Sequence, residues 1–179
     1  MLSLKNFTKD EPIENGKTFK DNALIKARFA SELTSHCYPT LADDSGICID
    51  NLDGAPGILS ARWAYKKNYN FAFNKIKKHL NEKKLNINGQ NAKFICVLAL
   101  IDQKKNEFFF KGTLKGKITF PPKGKNGFGY DPIFVPLNFN KTLAQFSPSL
   151  KNSLSHRKKA LVKLLKHSIF NNLSFKNVL

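Results

Sequence analysis

The chain is 179 residues long, 41% hydrophobic, carries 16 phenylalanines and has a formal net charge of +17. That length and apolar content support one globular domain with a substantial, largely aromatic core. Three well-separated cysteines (Cys37, Cys48, Cys96) argue against a disulfide framework or zinc site, and the longest apolar run, Phe94–Ile101, is too short to span a bilayer.

The excess positive charge points to an anionic partner, yet almost all of it is lysine; the arginines are Arg28, Arg62 and Arg157. Base-reading surfaces lean on the arginine fork, which ammonium cannot reproduce. Lysine and asparagine also crowd motif-free stretches such as Lys66-Lys67-Asn68, so the charge reads as drift of the whole composition. The opening residues run into Lys9-Asp10-Glu11-Pro12 with no apolar signal core. A soluble cytoplasmic protein with no membrane association and no specific nucleic-acid partner is expected.

In chain order, Thr18 to about Ser35 reads as a helix, with Phe19, Ala23, Ala27 and Ala30 at helical spacing. Thr40–Ala42 and Ile47–Asp50 read as short strands around an Asp43-Asp44-Ser45-Gly46 turn. Gly54-Ala55-Pro56-Gly57 is a tight loop by its punctuation, and Tyr69, Phe73, Ile76 and Leu80 form a second helical stripe. Phe94–Ile101 reads as a buried strand. Glu107–Phe110 follows it across a turn at Gln103–Asn106, and Thr113–Phe120 is a further strand. Pro121–Gly127 is a loop, and a last helix runs from about Leu154 to Asn171. This order predicts an α/β protein with a mixed sheet flanked by helices.

Five local features carry chemistry. Glu14-Asn15-Gly16-Lys17-Thr18 opens the first helix and leads to Lys26. It is either an ordinary helix start or a carboxylate and an ammonium presented to a metal and a phosphate. Asp43-Asp44-Ser45-Gly46 is, in isolation, a turn with solvated acids, but such acids can also hold Mg²⁺, which prefers carboxylate oxygens, waters and phosphates. Gly54–Gly57, followed by Ser60-Ala61-Arg62, can be a structural turn or an anion loop. In Gly127-Phe128-Gly129-Tyr130-Asp131 the aromatics either plug the core or stack on a base. Ser155-His156-Arg157, preceded by Lys151, begins a helix and can read an anion or a purine edge.

Taken in order, the segments E-N-G-K-T-F-x-D-N-A-x-x-K-A, L-A-D-D-S-G, D-G-A-P-G-I-x-S-A-R-W, G-F-G-Y-D-P-I-F and S-H-R-x-x-A-L span Glu14 to Leu161. They resemble the inosine-triphosphate pyrophosphatase family, the XTP/dITP diphosphatases. The resemblance implies a two-lobed α/β fold with a long curved sheet, a nucleotide cleft between the lobes, a homodimer and Mg²⁺ dependence. It implies Asp44 as general base and metal ligand, Glu14 as second metal ligand, Ser45 on the substrate and Lys26 on the phosphates. Phe128, Gly129, Tyr130 and Asp131 would hold the base, while Lys151, His156 and Arg157 would read its edge. The substrates implied are ITP, dITP and XTP.

Two departures stand out. The family's opening strand, Ser/Thr-x-Asn-x-x-Lys phosphate loop and helix have no counterpart, so the expectation is a single domain over residues 1–179 that starts downstream of that unit. Ser147-Pro148-Ser149 also replaces acidic helical residues before Lys151. The competing readings are an inactive truncated homologue and a lysine-rich nucleic-acid-binding module. The second leaves Glu14, Asp43 and Asp44 unexplained, because acids repel phosphate backbones.

Overall fold

The computed structural model describes residues 3–169. Four helices and four strands organise it: α1 (Phe19–Leu33), β1 (Thr40–Ile49), α2 (Tyr69–Glu82), β2 (Asn91–Ile101), β3 (Glu107–Ile118), β4 (Phe134–Pro136), α3 (Pro148–Leu154) and α4 (His156–Lys166). The strands form one sheet in the order β1-β2-β3-β4. Its pairing is antiparallel throughout the described residues rather than mixed. β2 and β3 are joined by a five-residue hairpin loop, too short for a parallel crossover. β3 and β4 pair with Gly116 opposite Pro136 and Ile118 opposite Phe134. Along β1 and β2, Cys37 meets Gln103, Asp43 approaches Cys96 and Asn51 meets Gln90, so one strand descends as the other climbs.

β2 is buried along nearly its whole length, which is why Phe94–Ile101 reads as an unbroken apolar run. β3 alternates, with Phe110, Leu114 and Ile118 inward and Lys111, Lys115 and Lys117 outward. It is one strand where two were expected. Gly112 sits at an inward position of the ladder and does not interrupt it. β1 is likewise one strand: Asp43-Asp44-Ser45-Gly46 lies inside it and is not a turn. The last helix starts at His156, preceded by the separate short helix α3, and its expected final residues Phe170 and Asn171 lie outside the described residues.

The chain divides into two compact units: residues 1–44, 96–112 and 160–179, and residues 45–95 and 113–159. The first is centred on Cys96, Leu98, Leu100, Phe110, Ala160 and Leu164. The second, larger core gathers Ile47 and Ile49 with Phe73, Ile76, Leu80, Phe94, Ile133 and Phe134. Among the described residues, no helix is long and apolar enough to cross a membrane.

Candidate active site

In the first unit, the chemistry begins with how α1 is started. Thr18 accepts from the Asp21 amide while Asp21 accepts from the Thr18 amide, a reciprocal cap that fixes the entry of the chain. Ala23 and Ala27 are fully buried, and the Thr40 hydroxyl donates to the Ala27 carbonyl at 3.0 Å. These contacts seat α1 beside the beginning of β1. Asn22 and Lys26, four residues apart, share one helix face, and both reach Asp44.

The Lys26 ammonium lies 3.1 Å from Asp44 Oδ1 and 3.2 Å from Glu14 Oε1. One cation therefore serves two carboxylates from separate segments. Asn22, wholly buried, donates through Nδ2 to Asp44 Oδ2 at 3.4 Å and accepts the Gly16 amide on Oδ1 at 2.9 Å. A side chain at Gly16 would put its Cβ 2.6 Å from that same Oδ1, so glycine is needed for the close approach. The E-N-G-K-T-F-x-D-N-A-x-x-K-A motif thus has a structural logic: cap, glycine, asparagine clasp, ammonium.

Asp44 is buried, and burial pushes its carboxyl above the ordinary range. Lys26 pulls it down and Glu14 pushes it up again, with a net rise. Burial acts to lower the Lys26 ammonium, but Asp44 and Glu14 outweigh it and hold the ammonium above its ordinary value. Asp43 does not join this cluster. Strand alternation sets it on the other face from Asp44, where its carboxylate lies 4.0 Å from the Cys96 sulfur; the same alternation applies to Ser45. Among the described residues, no group of three or more His, Cys, Asp or Glu side chains converges on one point.

The second unit holds the other expected residues. Asp131 Oδ2 accepts the Phe128 amide at 2.9 Å and the Lys151 ammonium at 2.5 Å, and both of the latter pair's side chains are largely buried. Gly127, at φ +83°, leaves the space that a Cβ would take from the Asp131 carboxylate. The Phe128 ring is 64% exposed. Lys151 Nζ sits 4.5 Å from its centroid and the Arg157 guanidinium 5.7 Å away. An exposed ring flanked by two cations can stack on a flat heterocycle and offer donors at its edge.

Pro148, a departure in sequence, is the first residue of α3. Ser147 caps that helix by accepting the Leu150 amide at 3.3 Å. The helix it starts carries Lys151 to Asp131. His156, at the start of α4, is buried and stacks on Phe94, with centroids 4.9 Å apart and planes 9° from parallel.

Tyr130 differs from its neighbour Phe128. Its ring belongs to the core against Tyr69 and Phe73, and its hydroxyl donates to the Ser60 carbonyl at 2.8 Å. Burial raises its phenol far above the usual range. What Tyr130 offers is placement of the loop; Gly129 beside it takes φ +67°. Ser60 ties down Gly54–Gly57 by donating to the Gly57 carbonyl and accepting the Ile47 amide, so that loop is held by its own contacts. The residue missed in sequence is Asn22, whose signal was its position one helical turn before Lys26.

The fold and these clusters define an α/β protein with a carboxylate pair around a lysine in one unit and an aromatic–cationic loop in the other. Residues 1–167 match the model of the Ham1 family, and the chain belongs to that family. It is 44% identical over 156 residues to the dITP/XTP pyrophosphatase of Rhodospirillum centenum, covering 87% of this chain and 75% of the relative. It is 45% identical over 152 residues to that of Campylobacter jejuni subsp. jejuni, covering 83% and 74%. Among solved structures, a HAM1 protein from Coxiella burnetii superposes with a TM-score of 0.83 at 37% identity, covering 94% of this chain and 84% of that one. The nucleoside-triphosphatase / dITP/XTP pyrophosphatase of Mycobacterium abscessus gives 0.70 at 37% identity, covering 92% and 83%.

Proposed function

We propose that this protein hydrolyses nonstandard purine nucleoside triphosphates (ITP, dITP and XTP) to the monophosphate and pyrophosphate, as a cytoplasmic homodimer. The observation that carries the reading is the convergence of Glu14 and Asp44 on one ammonium, in a chain whose relatives bear the name dITP/XTP pyrophosphatase. Two carboxylates from separate segments fit the needs of Mg²⁺, which takes one or two protein acids and fills its shell with water and phosphate oxygens. Bound there by Glu14 and Asp44, the ion would offset charge on the triphosphate.

The chain's own residues do the rest. Asp44 accepts a proton from the attacking water. Asn22 and Lys26 hold it in one orientation, and Lys26 then offers its charge to the phosphates. The family resemblance gives Ser45 to the substrate as well, although alternation along β1 turns its side chain to the face opposite Asp44. Phe128 stacks on the base, with Gly129, Tyr130 and Asp131 shaping the loop. Lys151, His156 and Arg157 donate to the 6-oxo edge, where adenine's amino group would meet a donor instead of an acceptor.

Pyrophosphate release from ITP, dITP, XTP and ATP with Mg²⁺ tests the proposal. Turnover of the first three at least on the order of 10²-fold above ATP is expected, because adenine's amino group would leave the site's donors unpaired. Equal turnover of ATP, or no pyrophosphate from any of them, overturns it.

A further inference from the structure

Lys26 is a single ammonium held between two acids, and this carries a consequence beyond phosphate contact. Its Nζ lies at hydrogen-bonding distance from both Glu14 and Asp44, the same two groups to which the preceding reading gives the divalent ion. Two acids drawn this close repel each other unless a cation lies between them. A divalent ion held by the same two carboxylates would compete with the ammonium for Asp44 Oδ1 and Glu14 Oε1 and would be repelled by its charge.

We propose that Lys26 is an internal stand-in for the metal: it holds the Glu14–Asp44 pair assembled when no divalent ion is bound, and must leave before one can bind. The departing ammonium needs a new anion, and a nucleotide's phosphates supply it. The metal therefore enters well only together with the triphosphate, and the cation-free enzyme keeps its acids ordered without a resident metal. Asn22 makes this possible by fixing Asp44 through its other oxygen, Oδ2, so that the carboxylate keeps its place when Lys26 moves. The inference rests on the metal assignment above but not on the identity of the nucleotide.

The test is binding of Mn²⁺ alone, followed by calorimetry and by the spin-resonance signal of the free ion, in the full chain without nucleotide. Wild type is expected to bind weakly and Lys26→Gln at least tenfold more tightly. Lys26→Arg, which keeps a cation between the acids, should stay as weak as wild type. In thermal melts, Lys26→Gln should unfold at a lower temperature than wild type without metal and regain the loss when Mn²⁺ is added. Wild type should gain little.

Lys26→Gln binding Mn²⁺ no better than wild type overturns the inference, as does Lys26→Arg binding as tightly as Lys26→Gln. Should Lys26→Gln fail to fold even with Mn²⁺, tight binding of Mn²⁺ to wild type without nucleotide is by itself enough to overturn it, and weak binding supports it. If the predicted Mn²⁺ pattern holds while ITP, dITP and XTP are not hydrolysed, the stand-in role survives and the proposed substrate class does not.

Discussion

Each of the two units sets a buried aspartate against a lysine, and the two arrangements surround that pair differently. In the first, one ammonium, Lys26, is divided between two carboxylates, Glu14 and Asp44. In the second, Lys151 pairs with Asp131 while its ammonium and the Arg157 guanidinium both stand over the Phe128 ring. On the proposed reading the first would take up a divalent cation and the second a flat ligand with acceptors at its edge. A lysine beside a buried aspartate is thus not informative until the remaining charges around it are counted.

The sharpest way to break this contrast is Asp44→Asn. Loss of the base should cut pyrophosphate release from ITP on the order of 10³-fold. Stability should not follow. Because the folded protein raises the Asp44 carboxyl, the native state binds the proton more readily than the unfolded chain does. The ionised form therefore opposes folding at neutral pH, and the opposition is relieved as pH falls through the raised value. An uncharged amide of the same shape escapes that opposition but sets its NH2 against one donor, Lys26 or Asn22, so the melting temperature should stay near that of wild type. Near-normal turnover, or a clear drop in melting temperature, would show that Asp44 serves the fold and not the chemistry.

How far the sequence disclosed these clusters depends on whether the deciding force was local. The α1 start was legible because Thr18, Asp21 and the buried alanines act within one helical turn, and the stripe Tyr69-Phe73-Ile76-Leu80 became α2 for the same reason. Asp43-Asp44-Ser45-Gly46 was misread as a turn because all four residues favour turns by their own chemistry. Strand conformation there is imposed by the neighbouring strand β2, which no local rule can see. The same limit explains Tyr130. Two aromatics in one glycine-rich loop look alike in sequence, and only the packing of α2 decides that Tyr130 faces Phe73 while Phe128 faces out. Pro148 shows the reverse. It stands out as a departure from the family's acidic helical residues, whereas Ser-Pro at a helix start is locally a favoured pair, with Ser147 as cap and Pro148 as first helical residue.

That difference between the two aromatics gives the next test. Phe128→Ala should raise KM for ITP about 10- to 100-fold, the equivalent of roughly 1–3 kcal/mol of stacking, with melting temperature unchanged because the ring is mostly exposed. Tyr130→Phe should do the opposite. It removes the hydrogen bond to the buried Ser60 carbonyl and should cost about 1 kcal/mol of stability, read as a lower urea midpoint, with KM held. Should the two variants exchange these effects, the positions assigned to them around the base are wrong.

The smallest expected effect separates a structural carboxylate from the functional one. Asp102 closes the β2–β3 hairpin. Burial pushes its carboxyl up, but the Asn106 side chain and the Asn106 and Lys104 amides more than reverse this and hold it below the ordinary value. The sign is opposite to that of Asp44. A depressed carboxyl contributes stability that is present above its unfolded value and lost as pH falls through its folded one. Asp102→Ala should therefore cost about 1–2 kcal/mol at neutral pH, measured by urea unfolding, and the gap to wild type should narrow below about pH 4. Hydrolysis of ITP should not change at all. A gap that persists undiminished in acid would mean that Asp102 acts through the shape of the turn and not through its charge, and the contrast with Asp44 would then rest on burial alone.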